Sequence, residues 1–136
     1  MAFSHGKNTV FKIDDSIGTL RDISTYLEDV DFPQPVETSE TTTFGNTSKT
    51  FITGVKSSTI SISGNFDPVA DGYLSGILGM ANTASFEYGP QGSTVGNIKY
   101  TGECICTAYN VKGAIGGAVK FTASFQVSGA VTRGTY

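Results

Sequence analysis

The chain of 136 residues predicts a mainly β fold, an antiparallel β-sandwich or open barrel with one flanking α-helix. Three observations point there. Runs such as 57–66 and 119–131 alternate apolar with small polar residues, the period of a half-buried strand. One window, 67–79, carries helical spacing with signals at both ends. Between the runs lie Gly, Asn, Asp and Pro, the residues that turns require.

Taken in order, residues 1–8 read as a loose polar arm, apart from Phe3. A strand is expected over 10–13. Asp14, Asp15, Ser16 and Gly18 supply turn chemistry, and 20–22 can return as a second short strand of a hairpin. Residues 22–28 suggest one or two helical turns with Asp22 as N-cap. Over 29–38, Val30, Phe32 and Val36 alternate with Asp31 and Glu37. Pro33 and Pro35 interrupt this run, and proline lacks the ladder donor, so the strand is an edge or is bent. Residues 39–56 form a Thr-rich connection. Thr is a good strand former, so the connection reads as a protruding loop or hairpin with Gly45 and Asn46 near its tip. Low complexity and disorder is the competing reading.

Residues 57–66 read as a strand with Ile60, Ile62 and Phe66 on one side and Thr59, Ser61, Ser63 and Asn65 on the other. The helix follows. Asp67 is its expected N-cap, Pro68 suits the first helical position, and Asp71 favours the positive end of the dipole. Val69, Tyr73, Leu74, Ile77 and Leu78 form the expected apolar stripe, and Gly79 the C-cap. A strand over 84–88 ends at Gly89-Pro90. Two long strands, 97–111 and 119–131, read as a large antiparallel hairpin about a Gly-rich turn. In the second, Val119, Phe121, Ala123, Phe125 and Val127 share a face. The tail 132–136 reads as short and open. The length fits one domain, 1–136.

Composition narrows function. Charged residues make up only 15%, against about a quarter in ordinary globular chains. Low charge with much Ser, Thr and Gly fits either a surface covered by neighbours or one that is merely uncharged and wet. The net charge of −3 is uneven. Between Asp14 and Glu40 lie eight carboxylates against Arg21 alone. That argues against gripping nucleic acid, which needs Lys and Arg to displace counterions; a solvated acidic face is the simple reading. The N-terminal sequence MAFSHGKNTVFKID predicts no signal peptide or membrane span.

No catalytic constellation emerges. The single histidine, His5, lies in the arm, where a base is not held rigid. Asp14-Asp15 belongs to turn chemistry, and calcium-ligand spacing is absent. GAIGG at 113–117 lacks the lysine and following helix of a phosphate loop. Cys104 and Cys106 share one strand face, a poor geometry for a mutual disulfide, and without further ligands make a weak zinc case; both read as small buried residues. No enzyme activity, metal or cofactor is expected.

From 38 to 63, 14 of 26 residues are Ser or Thr. So long a stretch with little to bury usually works on a partner. Two segments carry a resemblance. TSKTFITGVKSSTISISGNFDP followed by a helix resembles the central segment of major tail tube proteins of long-tailed bacteriophages, with Gly54, Val55, Lys56, Ile60, Ile62, Gly64, Phe66 and Asp67 matching. The ending FTASFQVSGAVTRG resembles the last strand of such proteins. The appended immunoglobulin-like domain of some members has no counterpart.

This resemblance implies the phage tail tube fold and hexameric rings stacked into a tube through which DNA is ejected. It implies a virion tail protein assembled in the host bacterial cytoplasm. The implied partners are further copies, a tape-measure protein, a tail terminator and a distal tail protein; DNA passes without specific binding. Contractile and non-contractile tails both remain open. Glu40, Thr42, Thr43, Phe44, Lys49 and Phe51 become candidates for inter-subunit or inter-ring contact. Asp31, Glu37 and Glu40 become lumen candidates, since a lumen of hydroxyls and carboxylates would repel DNA rather than hold it. Two other readings compete. One is a head-decoration or tail-terminator protein. The other is a monomeric β-sandwich binding module, which would want an exposed aromatic platform.

Overall fold

The computed structural model describes residues 3–136, so residues 1 and 2 of the expected arm lie outside it. Nine strands and one α-helix follow in chain order: β1 (Val10–Asp14), β2 (Leu20–Asp22), β3 (Leu27–Asp31), β4 (Val36–Glu40), β5 (Phe51–Lys56), β6 (Thr59–Asn65), α1 (Pro68–Ile77), β7 (Ala84–Gly89), β8 (Ile98–Lys112) and β9 (Lys120–Thr135). Seven strands make one antiparallel sheet in the order β2-β1-β7-β8-β9-β6-β3, and β4 pairs only with β5.

That sheet cannot be flat. β2 and β3 lie at its two ends, yet four residues join them. Six flat strand spacings would separate them by about 29 Å, while the connection spans at most about 18 Å. The sheet therefore rolls. The long strands β8 and β9 form its spine, with register shifts between Thr101 and Glu103 and between Cys106 and Ala108 that let it bend. β7 pairs with the first half of β8, and β6 with the first half of β9, so the spine carries β7, β1 and β2 at one end and β6 and β3 at the other.

The roll encloses one core. Phe11 and Ile13 of β1, Ile60 and Ile62 of β6, Phe86 of β7, Cys104 and Cys106 of β8 and Phe121, Ala123 and Phe125 of β9 are all buried in it. Phe11 and Phe125, three places apart in the sheet order, bring their ring centroids to 6.2 Å. Just past β3, Phe32 packs edge-on against Phe86, Tyr88 and Tyr100, at 5.7, 6.1 and 5.9 Å. The helix adds Leu74 and Ile77 to the same core. Its start is as expected: Asp67 accepts a hydrogen bond from the Val69 N–H at 2.9 Å, with Pro68 in the first turn.

Several expectations need correcting. The helical turns expected over 22–28 shrink to a 3₁₀ turn, Ser24–Tyr26. Asp22 still bonds the Ser24 N–H, but Leu27 and Glu28 have already joined β3, which pairs with β6. The run 29–38 is two strands, because Pro33 and Pro35 fall where β3 stops and β4 has not begun. On the helix the buried residues are Ala70, Leu74 and Ile77, while Val69 and Leu78 are exposed. The stripe is thus rotated toward a small alanine that lets helix and sheet approach. Leu78, not Gly79, is the C-cap; Gly79 follows it at φ 72° and donates its N–H to Cys106. Val119 is exposed and lies just before β9. Finally, the tail is not open. β9 continues to Thr135 against the start of β8, and Tyr136 exchanges backbone hydrogen bonds with Gly96 and Asn97.

Candidate assembly surfaces

The residue types that chemistry would need are occupied elsewhere. His5 is exposed and accepts the Lys7 N–H at 3.1 Å. Asp14 accepts the Ser85 N–H, and Asp15 accepts the N–H groups of Ile17 and Thr19 as well as Arg21 Nε at 2.8 Å. The Arg21 hydrogen bond holds the Asp15 carboxyl below its ordinary range. Arg21 in turn lies over the Tyr73 ring at 5.2 Å, tying the β1–β2 turn to the helix. Cys104 and Cys106 are free and buried, and burial pushes the Cys104 thiol up to about 12. Such thiols are unreactive near neutrality. Among the described residues no group of His, Cys, Asp and Glu is placed to hold a metal.

What the structure does build is a polar face. On the outer side of β3, β6, β9 and β8, register aligns side chains in rows across the strands. One row runs Asp31, Ser61, Ser124 and Ala108; the next runs Asp29, Ser63, Thr122 and Asn110. Asn65, Lys120 and Lys112 follow at one end. Lys120 is also paired with Glu28. The opposite sides of β6 and β9 are the core residues Ile60, Ile62, Phe121, Ala123 and Phe125. The result is a four-stranded surface of hydroxyls and amides, with Glu28, Asp29 and Asp31 along its β3 margin and Lys120 and Lys112 at one end.

Both margins of that surface are unpaired among the described residues. β3 has β6 on one side only. β8 pairs with β7 no further than Cys104, and Gly79 caps Cys106, so 107–112 present a second free edge. Unpaired edges are templates for strand addition from another chain.

The hairpin β4–β5 is the other unpartnered feature. None of its strand residues is buried. Its tip is organised by threonines. Thr41 and Thr50 join through both backbone and hydroxyls, each at 2.8 Å. Thr42 Oγ1 accepts the Thr50 N–H, and Asn46 Nδ2 donates to Thr43 Oγ1. Phe44 stands fully exposed beside Gly45, whose φ of 89° closes the turn. Phe51, Ile52 and Val55 are exposed as well.

Against this geometry the candidate residues separate. Glu40, Thr42, Thr43, Phe44, Lys49 and Phe51 all lie on the hairpin or its tip. Asp31 lies on the hydroxyl face, whereas Glu37 and Glu40 are on β4, in the separate two-stranded hairpin. Asp29, Ser61, Ser63, Thr122 and Ser124 were not singled out. Their alternation was visible in sequence; only strand register brings them into rows.

A family profile described as phage tail tube protein matches residues 5–133. The chain belongs to the phage tail tube protein family. It is therefore a structural protein of a virion tail rather than an enzyme. The fold recurs in solved tail structures. The native gene transfer agent virion contains a chain similar at a TM-score of 0.80 and 20% identity, over 98% of this chain and 100% of that one. The tail of an empty gene transfer agent particle, refined with C6 symmetry, gives 0.76 and 17%, over 96% and 98%. The SPP1 tail tube gives 0.73 and 10%, over 98% of this chain and 80% of the other. No curated protein matches this tail tube protein in sequence. The family assignment decides against the head-decoration, terminator and monomeric binding-module readings, and the seven-stranded sheet with its helix is the expected tail tube fold.

Proposed function

We propose that this tail tube protein forms hexameric rings that stack into a hollow tube for DNA ejection, with the hydroxyl face as the lumen wall. The whole chain, 1–136, would act as one tail tube unit. The observation that carries the reading is a polar, nearly neutral surface bounded by two unpaired strand edges on a chain of this family. Pairing the free edge of β3 with residues 107–112 of a neighbour is a head-to-tail contact, and such contacts close into rings when the rotation permits. Six such copies, the symmetry of the similar particle tail, contribute four strands each to a 24-stranded barrel. With strands about 4.8 Å apart and tilted about 40°, that barrel is about 48 Å across between backbones. Inward side chains then still leave room for duplex DNA.

The wall chemistry suits passage. Ser, Thr and Asn hydroxyls and amides hydrogen-bond water, while Asp29 and Asp31 repel phosphates over about 8 Å at physiological salt. Lys120 is compensated by Glu28. Asp31 is thus kept as a lumen residue, joined by Asp29. Glu37 and Glu40 are assigned to the hairpin, an assembly arm whose Thr42, Thr43, Phe44, Lys49 and Phe51 contact a neighbouring copy. A tape-measure protein, a tail terminator and a distal tail protein would complete the tail.

Electron microscopy of the concentrated, purified protein tests this. Long hollow tubes or stacked rings are expected. A chain that stays monomeric at high concentration, or a tube whose inner wall is not the face of Ser61, Ser63, Thr122 and Ser124, would overturn it.

A further inference from the structure

We infer that the hairpin of one copy inserts Phe44 into the apolar groove at the hairpin base of another, a knob-and-groove lock between copies. This rests on the tube assembly proposed above and names the contact its arm makes. The groove lies where β4 and β5 leave the sheet, facing the bend of β9. Pro35, Val36, Val55, Val127, Ala130 and Val131 form its apolar wall, polar side chains with Lys56 among them complete the lining, and its volume is about 650 Å³. That space exceeds one aromatic side chain with its neighbours.

Three observations select the occupant. First, Phe44 is a fully exposed aromatic on a tip held by cross-strand threonine hydrogen bonds. A preorganised tip loses little conformational entropy on docking. Second, Phe44 cannot reach its own groove. The tip lies beyond the far end of β4, which runs from Val36 at the base to Glu40, and cross-strand bonds from Thr41 and Thr42 to Thr50 hold it extended away from the base. The occupant therefore comes from another copy, and every copy offers one knob and one groove, the arrangement that propagates head to tail. Third, the groove's chemistry suits an aromatic. Its aliphatic wall can take the ring edge, with the Lys56 ammonium available to the ring face. The cleft beside β3 also has apolar lining from Leu27, Val30 and Tyr88, but Lys7, Glu28 and Asp29 stand in it, and there a phenyl ring would strip water from charges.

Of the other exposed apolar loop residues, which include Ile17 and Val95, Ile115 in the β8–β9 turn is the most exposed and the chief rival occupant. Its turn is closed by a single backbone bond from Gly117 to Ala114 at 3.3 Å and is flanked by glycines. It is less organised than the threonine-stapled tip.

Disulfide crosslinking in assembled tubes tests the lock. Phe44→Cys and Ala130→Cys proteins are mixed, assembled and oxidised. The native thiols of Cys104 and Cys106 are buried and unreactive, so they do not compete. Disulfide-linked dimers that require both variants are expected. Tubes that form without such dimers, while Ile115→Cys crosslinks to Ala130→Cys, would sink the lock and leave the tube reading intact. Failure of the unmodified protein to form tubes would sink the tube reading itself. In parallel, Phe44→Ala should raise the concentration needed for assembly about 30-fold, a hot-spot effect. Phe44→Tyr should restore it, with monomer melting unchanged in both. Equal assembly of Phe44→Ala and the unmodified protein overturns the inference even where the cysteine variants fail to assemble.

Discussion

The rolled sheet and the β4–β5 hairpin are built from similar residues and end differently. Both contain strands rich in Thr, Ser and aliphatic side chains. In β6 and β9 the aliphatic face closes on a core, and Ile60, Phe121 and Phe125 lose nearly all exposure. In β5 the exposed Phe51, Ile52 and Val55 find no cover within the chain. The difference lies in partners. Seven strands and a helix can enclose one another, whereas two strands present both faces to water. The comparison teaches that alternation announces a strand, while burial depends on what the rest of the chain brings to its apolar face.

The largest test breaks the sheet. Phe125→Ala removes a ring that fills the centre of the roll, and should lower unfolding free energy by about 3–5 kcal/mol in denaturant titration. Gly64→Ala follows, at about 3 kcal/mol. A Cβ there would sit 2.0 Å from the Tyr26 carbonyl oxygen and 2.8 Å from Leu27 Cα, both backbone, so β3 must move. The same experiment on Gly45 is informative for a different reason: space is open there, and only its φ of 89° resists a side chain.

A smaller effect concerns the β1–β2 turn. Asp15→Asn should destabilise the sheet at neutral pH, read as a lower melting temperature. Because Arg21 depresses the folded-state pKa of Asp15, its contribution is present above the ordinary carboxylate range and is lost as pH falls through the lowered folded value. The gap between variant and parent should therefore close in strong acid. A gap that persists there means that the turn geometry, rather than the charge, matters.

The smallest effect on stability sharpens the contrast most. Ile52→Ser and Phe51→Ala in the hairpin should change monomer stability by no more than about 0.5 kcal/mol, as exposed positions do. They should still impair tube formation seen by electron microscopy. A large loss of monomer stability would mean that the hairpin packs on its own chain.

Much of the fold was legible. β6, the Asp67-capped helix and most of β9 follow from periodicity and end signals, which are local. The last turns of β9 were not, because Thr132, Arg133, Gly134 and Thr135 do not alternate; they are strand only because residues 98–101 lie opposite. The helix stripe was misjudged at Val69 and Leu78 because the sheet selects the face with the closest approach, and Ala70 permits it. Of the candidate surfaces, the hairpin residues were legible from the Thr-rich composition. Asp31 lies on β3 of the large sheet and Glu37 and Glu40 on β4 of the hairpin, a separation that depends on strand pairing and is not written in their spacing.

By itself the sequence determined a mainly antiparallel β chain with one helix, no catalytic machinery, and a family likeness that the profile match establishes. Those features depend on residue type and short-range spacing, which are written locally. Tertiary structure alone decided that the sheet rolls, that serines and threonines from β6 and β9 join Asp29 and Asp31 in rows, and that two strand edges and an aromatic tip stay uncovered. Those depend on register and closure between segments far apart in the chain, and no local pattern encodes which strands meet.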